Sequence, residues 1–274
     1  MSIPLLREHA AAEGLPLGIV AAESLHVILL DALFAHPDIE AMALQGGTCL
    51  HLVHGGYRYS EDLDLAGREL DGDRAARIVE RARPDAARLT LQVLGRGETE
   101  WKPPRTRGRV STHWFHFTPE ATGQRIPVKI ELASFPTYHG TARPVRSPLD
   151  LLERRPLVTA LPPAELLAEK VAAALGRPYL KGRDLFDLWY LDEVLETALD
   201  RDLLRRKLDD YGVAPSRNEV EERLTAVAAA DLETEMARFL PRRQRSQLGG
   251  EGYRAIRDRA REVLDGAARA VGLA

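Results

Sequence analysis

The sequence predicts an α+β chain, with an α/β front followed by an α-helical C-terminal region. Three observations predict it. Short runs that alternate apolar and polar residues, such as "EDLDLA" (61–66) and "RIPVKIELASF" (125–135), lie in the first 150 residues. After about residue 145, apolar residues recur at helical spacing almost without interruption. Between an apolar run and a helix-like one stands Gly46-Gly47, a strong local breaker. On this reading residues 1–150 form an α/β core and residues 151–274 a helical domain.

Composition narrows the classes. Of 274 residues, 45% are apolar and 29% charged, enough to bury a core and keep a solvated surface. The formal net charge of −3 excludes a surface that is basic as a whole, so any nucleic-acid contact would need a local basic patch. One cysteine, Cys49, rules out an intramolecular disulfide and a cysteine-based zinc site. It suits a reducing, cytoplasmic compartment, and Cys49 itself reads as a small buried residue. "MSIPLLREHAAAEG" turns charged at once, unlike a signal peptide. The apolar stretch "GIVAAESLHVILLDALFAH" carries Glu23, His26 and Asp31, and is expected to be a buried amphipathic helix, with no membrane contact.

The elements follow in order. Residues 18–36 read as a helix. "IEAMALQ" (39–45) reads as a buried strand that Gly46-Gly47 ends, and "TCLHLVH" (48–54) as a helix with Thr48 as its N-cap. "GGY" turns the chain into strand 61–66, where Asp62 and Asp64 share one face and Leu63 and Leu65 the other. "GDRAARIVERARPDAARL" (72–89) contains a helix. "LTLQVLG" (89–95), "STHWFHFTP" (111–119) and "RIPVKIELASF" read as three strands. In the last, Ile126, Val128, Ile130 and Leu132 form one face, and Lys129 and Glu131 lie on the other. "RSPLDLLERRP" (146–156) and "TALPP" (159–163) suggest a connector. Helices then read over 164–176, 182–196, 199–211, 215–240 and 251–271. His51, His54, Phe186, Trp189 and Tyr190 read as packing residues, and "RTRGR" (105–109) and "PRRQR" (241–245) as solvated basic clusters.

The front half carries a chemistry. Strand, double glycine and helix make an anion site, because glycine lets the backbone approach a phosphate and amides at a helix start point outward. A strand with two aspartates on one face offers hard oxygens that suit Mg²⁺ shared with a nucleoside triphosphate. Glu131 offers a third carboxylate, and three can hold two metals across an in-line phosphoryl transfer. Alone, a double glycine is usually a turn and D-x-D a solvated strand face. The order of the pieces makes the pattern specific.

That order resembles the nucleotidyltransferase superfamily of the DNA polymerase β type, whose h-G-[GS], D-h-[DE]-h and h-[DE]-h segments correspond to "LQGG", "DLDL" and "IEL". The gap between the first two is slightly longer than the superfamily pattern, and glycine stands where serine is usual. More closely, "GGTCLHLVHGGYRYSEDLDL", "ELLAEKVAAALGRP" and "KGRDLFDLWYL" are similar in order and type to the signature segments of the AbiEii/AbiGii toxin family. The resemblance covers residues 44 to 191.

The resemblance implies a nucleotidyltransferase-fold mixed β-sheet with flanking helices, and a helical domain that completes the nucleotide site. It implies a metal-dependent enzyme that uses an NTP with Mg²⁺ or Mn²⁺, within a bacterial toxin–antitoxin or phage-defence pair with its antitoxin encoded nearby. The acceptor it implies is RNA, at the 3′ end of tRNA. Metal would be held by Asp62, Asp64 and Glu131. Gly46, Gly47, Thr48, Arg58, Ser60, Lys170, Lys181, Arg183 and Asp187 would bind nucleotide, and Lys170 and Asp184 would join the carboxylates in catalysis. One of Asp184 and Asp187 would face the site while the other fixes a basic side chain, with Asp184 preferred for the first role. By helical spacing alone, Arg183 and Asp187 could pair, and Lys170 could snorkel beside its apolar stripe. Two other readings stay open: transfer to a small molecule or a protein side chain, and a non-catalytic NTP-binding module.

Overall fold

Alternation in the sequence becomes a seven-stranded mixed sheet in the first of two units. A computed structural model describes residues 3–39, 41–68, 70–177, 179–227 and 231–273. The chain divides into Met1–Leu161 and Pro162–Ala274. The strands are β1 (Met42–Gln45), β2 (Asp62–Gly67), β3 (Gly97–Arg107), β4 (Val110–Pro119), β5 (Ile126–Ala133), β6 (Thr141–Pro144) and β7 (Leu157–Ala160). They lie in the order β3-β4-β5-β2-β1-β7-β6. The pairs β2/β5 and β1/β7 are parallel, and the others are antiparallel. β7 falls where the sequence suggests a connector, and through its pairing with β1 it carries the first unit on to Leu161.

Helices α1 (Ile3–Glu13), α2 (Leu17–Phe34), α3 (Gly46–Leu52) and α4 (Gly72–Leu94) complete this unit. α2 and α4 pack against the sheet and each other. α2 is long and apolar enough to cross a membrane by length and composition, but most of it is buried inside the unit: Ile28, Leu29, Leu30 and Leu33 are fully covered. On the sheet, Leu63, Leu65, Val128, Ile130 and Leu132 are fully buried. Each stabilises the fold by at most about 1.5–3 kcal/mol. The partners at alternate positions, Asp62, Asp64, Lys129 and Glu131, stand half-buried on the opposite face.

Two readings of this unit are corrected. "LTLQVLG" is the last part of α4 and its C-cap Gly95, not a strand. Ala82, Ala86, Thr90, Val93 and Leu94 continue the helix's buried stripe at spacings of three and four, and the Thr90 hydroxyl bonds back to the Ala86 carbonyl. The strand lies further on, at β3. Its charges and Pro103-Pro104 hide it in the sequence, but it is an edge strand, and a register shift between Lys102 and Arg105 accommodates the prolines. The second correction is that Thr48 is not an N-cap. α3 begins at Gly46, with Gln45 as its N-cap.

The second unit is helical: α5 (Pro163–Gly176), α6 (Gly182–Trp189), α7 (Arg201–Tyr211), α8 (Arg217–Ala226), α9 (Leu232–Phe239), α10 (Arg242–Leu248) and α11 (Arg254–Val271). α6 continues as a π-helical turn, Tyr190–Val194. The helix expected over 215–240 is two helices. Ser216 and Glu219 form a capping box at the start of α8, and Asp231 caps α9 by accepting from the Thr234 amide. Residues 228–230 of that expected helix lie outside the described residues. Inside the unit Lys207 of α7 is fully buried, 2.8 Å from Glu165 and 2.6 Å from Glu169 of α5, and thereby ties the two helices together.

Candidate functional site

The double glycine is required by what lies over it. Gly46 has φ +72°, a conformation that side chains resist, and a Cβ there would collide with the Asp64 carboxylate. At Gly47 a Cβ would sit 2.5 Å from Arg58 Nη2. Each glycine therefore lets one charged group lie against the backbone at the start of α3, an acid on the first and a base on the second. Arg58 is only 4% exposed and also donates from Nη1 to the Tyr59 carbonyl at 3.2 Å. Ser60 is half-buried, two residues before Asp62.

Two bonds fix the start of β2, and a third group, His51, holds the segment before it. Thr48 is buried, and its hydroxyl donates to the Asp62 carbonyl at 2.5 Å. Thr48, expected among the nucleotide-binding residues, holds the strand that carries the aspartates. His26 of α2 donates from Nε2 to the Glu61 carbonyl at 3.1 Å, and burial lowers its pKa to about 4, so the ring is neutral. His51 lies between Glu23 (Nε2 to Oε2, 2.6 Å) and the Gly56 carbonyl (Nδ1 to O, 2.5 Å). An imidazole that donates from both nitrogens is protonated. Burial acts to lower the His51 pKa, but the Glu23 charge and these hydrogen bonds together raise it. Ser147 adds a hydrogen bond to the other Glu23 oxygen at 3.3 Å. His51 is thus largely covered, with its side chain 12% exposed, and forms half of an ion pair where a packing residue was expected.

Strand register assembles the acidic face. Asp62 pairs with Lys129 and Asp64 with Glu131 across the parallel β2/β5 ladder, while Gln45 pairs with Asp64 from the other side. Glu131 of β5 therefore stands beside Asp64 on the open face. The sequence pattern did not mark Lys129 as part of the site. Its Nζ lies 3.0 Å from Asp62 Oδ2 and 3.2 Å from Glu131 Oε1. Its position two residues before Glu131, on the same strand face, was the available signal. Burial opposes the charge on Lys129, but Asp62 and Glu131 outweigh it and raise the pKa, so the ammonium is retained.

The later motif residues form their own cluster in the second unit. Lys170 lies 2.6 Å from Asp187 and 3.7 Å from Asp184, and Arg177 lies 2.7 Å from Asp184. Both aspartates are buried, at 3% and 1% exposure. Lys170 is therefore not a snorkelling surface residue, and Asp187 pairs with it in place of the Arg183 that helical spacing offered. Arg183 contributes its backbone: the Gly182 and Arg183 amides donate to the two Glu235 oxygens at 3.1 and 3.0 Å, so Glu235 caps α6. Lys181 lies over the Tyr179 ring at 5.9 Å. Arg177 stands in the segment "ELLAEKVAAALGRP" but is not among the residues expected at the site, and Glu235 lies beyond the matched segments.

A glycine turn crowded by an acid and a base, next to a strand with two aspartates on its open face, is the arrangement of a nucleotidyltransferase core. The chain belongs to the AbiEii nucleotidyl transferase toxin family of type IV toxin–antitoxin systems, whose model matches residues 28–264 and so spans both units. It is therefore a toxin-type nucleotidyltransferase. Its fold is similar to that of MenT4, the nucleotidyltransferase toxin Rv2826c from Mycobacterium tuberculosis H37Rv. That match has a TM-score of 0.69 and 18% identity, and covers 100% of this chain and 94% of that one. JHP933 from Helicobacter pylori matches with a TM-score of 0.53 and 18% identity, covering 94% of each chain. No curated protein matches the chain.

The family implies an NTP substrate and a divalent metal, and the first unit's carboxylates fit one such ion. Asp62 and Asp64 present hard oxygens at alternate positions of one strand, and Mg²⁺ binds through one or two carboxylates together with substrate phosphates. Among the described residues, no group of three or more His, Cys, Asp and Glu side chains is placed to hold a metal ion.

Proposed function

We propose that this chain transfers a nucleoside monophosphate from an NTP bound with Mg²⁺ or Mn²⁺ to the 3′-terminal hydroxyl of RNA. The tRNA acceptor end is the RNA that the family resemblance implies. The observation that carries the transfer chemistry is the pairing of Gly46 with the Asp64 carboxylate and of Gly47 with the Arg58 guanidinium. In this reading the backbone of the glycine turn and Arg58 hold the triphosphate, Ser60 borders it, and Asp62 and Asp64 ligate the metal. The metal, when bound, supplies Lewis-acid charge to the phosphate oxygens. The acceptor oxygen attacks the α-phosphorus, the bond to pyrophosphate breaks, and the hydroxyl proton passes to Glu131. Arg58 neutralises charge that gathers on the departing pyrophosphate. Thr48 acts on this site through Asp62, whose strand it fixes. Lys170, Lys181, Arg183, Asp184 and Asp187 enter the proposal through their motif. The cognate antitoxin is the protein partner, and phage defence is the setting proposed for the pair.

The test is incubation with α-labelled NTPs, Mg²⁺ and bulk tRNA, followed by separation of RNA, protein and small molecules. Label is expected in RNA, and Asp62→Asn is expected to lower it by at least ~100-fold, the scale of losing a main electrostatic contributor. Label confined to protein or small molecules would assign another acceptor. Toxicity that survives Asp62→Asn would point to a binding module without catalysis.

A further inference from the structure

Four side chains on the open face of the first unit form a small rectangle whose charges decide how many cations it holds. Parallel strands lie ~4.8 Å apart, and residues two apart on one strand face are ~6.6 Å apart. Asp62 and Lys129 occupy one short edge, Asp64 and Glu131 the other. Lys129 extends its ammonium into the diagonal between Asp62 and Glu131, within hydrogen-bond distance of both. It is no ordinary surface lysine: its side chain is 24% exposed, and it joins carboxylates from two strands. A second divalent ion liganded by Asp62 and Glu131 would need the same gap, at oxygen distances of ~2.0–2.1 Å, and would meet a positive charge already there. The ammonium cancels one carboxylate charge in the very gap that a second cation would need. Without it, that charge would return and a second cation would gain a place.

We propose that Lys129 makes this a one-cation site. Its ammonium occupies the place of a second ion, ties Glu131 back from metal ligation, and confines the divalent cation to Asp62 and Asp64. Lys129 is then a positioning residue, which acts through the carboxylates on either side of it. The inference rests on the metal-binding reading of Asp62 and Asp64 given above. It differs from the three-carboxylate, two-metal arrangement expected from the sequence.

The experiment counts Mn²⁺ ions bound by the full chain without nucleotide, by electron paramagnetic resonance of free Mn²⁺ at neutral pH. Wild type should bind one ion, lost in Asp62→Asn/Asp64→Asn. Lys129→Met should bind two, and Lys129→Arg, which keeps the charge, should bind one. Adding Glu131→Gln to Lys129→Met should remove the second ion. Glu131→Gln alone should still bind one, an arm that stands even if Lys129→Met does not fold. Two ions in wild type, one ion in folded Lys129→Met, or loss of the ion in Glu131→Gln would each overturn the role of Lys129 while leaving the aspartate site intact. No ion in wild type, or an ion that survives in Asp62→Asn/Asp64→Asn, would overturn the aspartate site itself and the inference with it.

Discussion

Gly46 and Gly47 show how two residues without side chains can organise charge. Both are read from the sequence as a phosphate-approach turn, and the structure adds why each position excludes a methyl group. Substituting them should therefore have separable effects. Gly47→Ala places a carbon against Arg58, so the guanidinium must move. It should raise the KM for NTP about 10-fold, roughly the ~1.4 kcal/mol that a charge-assisted contact carries, with little change in Tm. Gly46→Ala meets both a positive φ and the Asp64 carboxylate, and should cost about 1–3 kcal/mol of stability as well as activity. Steady-state kinetics with thermal melts of both variants check this. An unchanged KM in Gly47→Ala would separate Arg58 from the nucleotide. At this scale the types and spacing of Asp62, Asp64 and Glu131 were legible, because strand alternation alone puts them on an open face. The partners of Thr48 and Lys129 were not legible. They depend on which strand arrives beside them, a long-range pairing that no local pattern encodes.

Between elements, the stretch that carries Arg58 and Ser60 is pinned to α2 and α3 by Glu23, His51 and the Gly56 carbonyl. The raised His51 pKa gives this clamp a pH dependence. A histidine protonated more readily in the folded than in the unfolded chain adds stability that is fully present below the unfolded value of ~6.5. That stability fades as pH rises through the folded value. Removing one partner of a buried pair costs ~3–5 kcal/mol. Glu23→Gln should therefore be markedly less stable than wild type near pH 6, and the gap should narrow as pH is raised. Urea unfolding of both proteins from pH 6 to 9 measures it, and a pH-independent gap would contradict the charged clamp. The same scale explains the misread strand. "LTLQVLG" has strand-like residues, but its apolar positions extend the stripe of α4, whereas β3 is polar and proline-bearing because its edge position leaves it partly unpaired.

For the molecule as a whole, the α/β front and helical back were legible because the motif segments fall in order along the chain and their elements differ in period. The place where the first unit ends was less so. β7 has four residues, and its parallel partner β1 lies more than a hundred positions earlier, so nothing local marks it as a strand. The family match from residue 28 to 264 makes both units part of one toxin-type enzyme, and the chemistry assigned to it is transfer of the α-phosphoryl group with its nucleoside. Parallel incubations with RNA and NTP labelled at either the α- or the γ-phosphate test this most directly. Nucleotidyl transfer leaves α-label in the acceptor and γ-label in released pyrophosphate, both abolished by Asp62→Asn. Label from the γ-phosphate in the acceptor would contradict it, because that would make the reaction a phosphorylation.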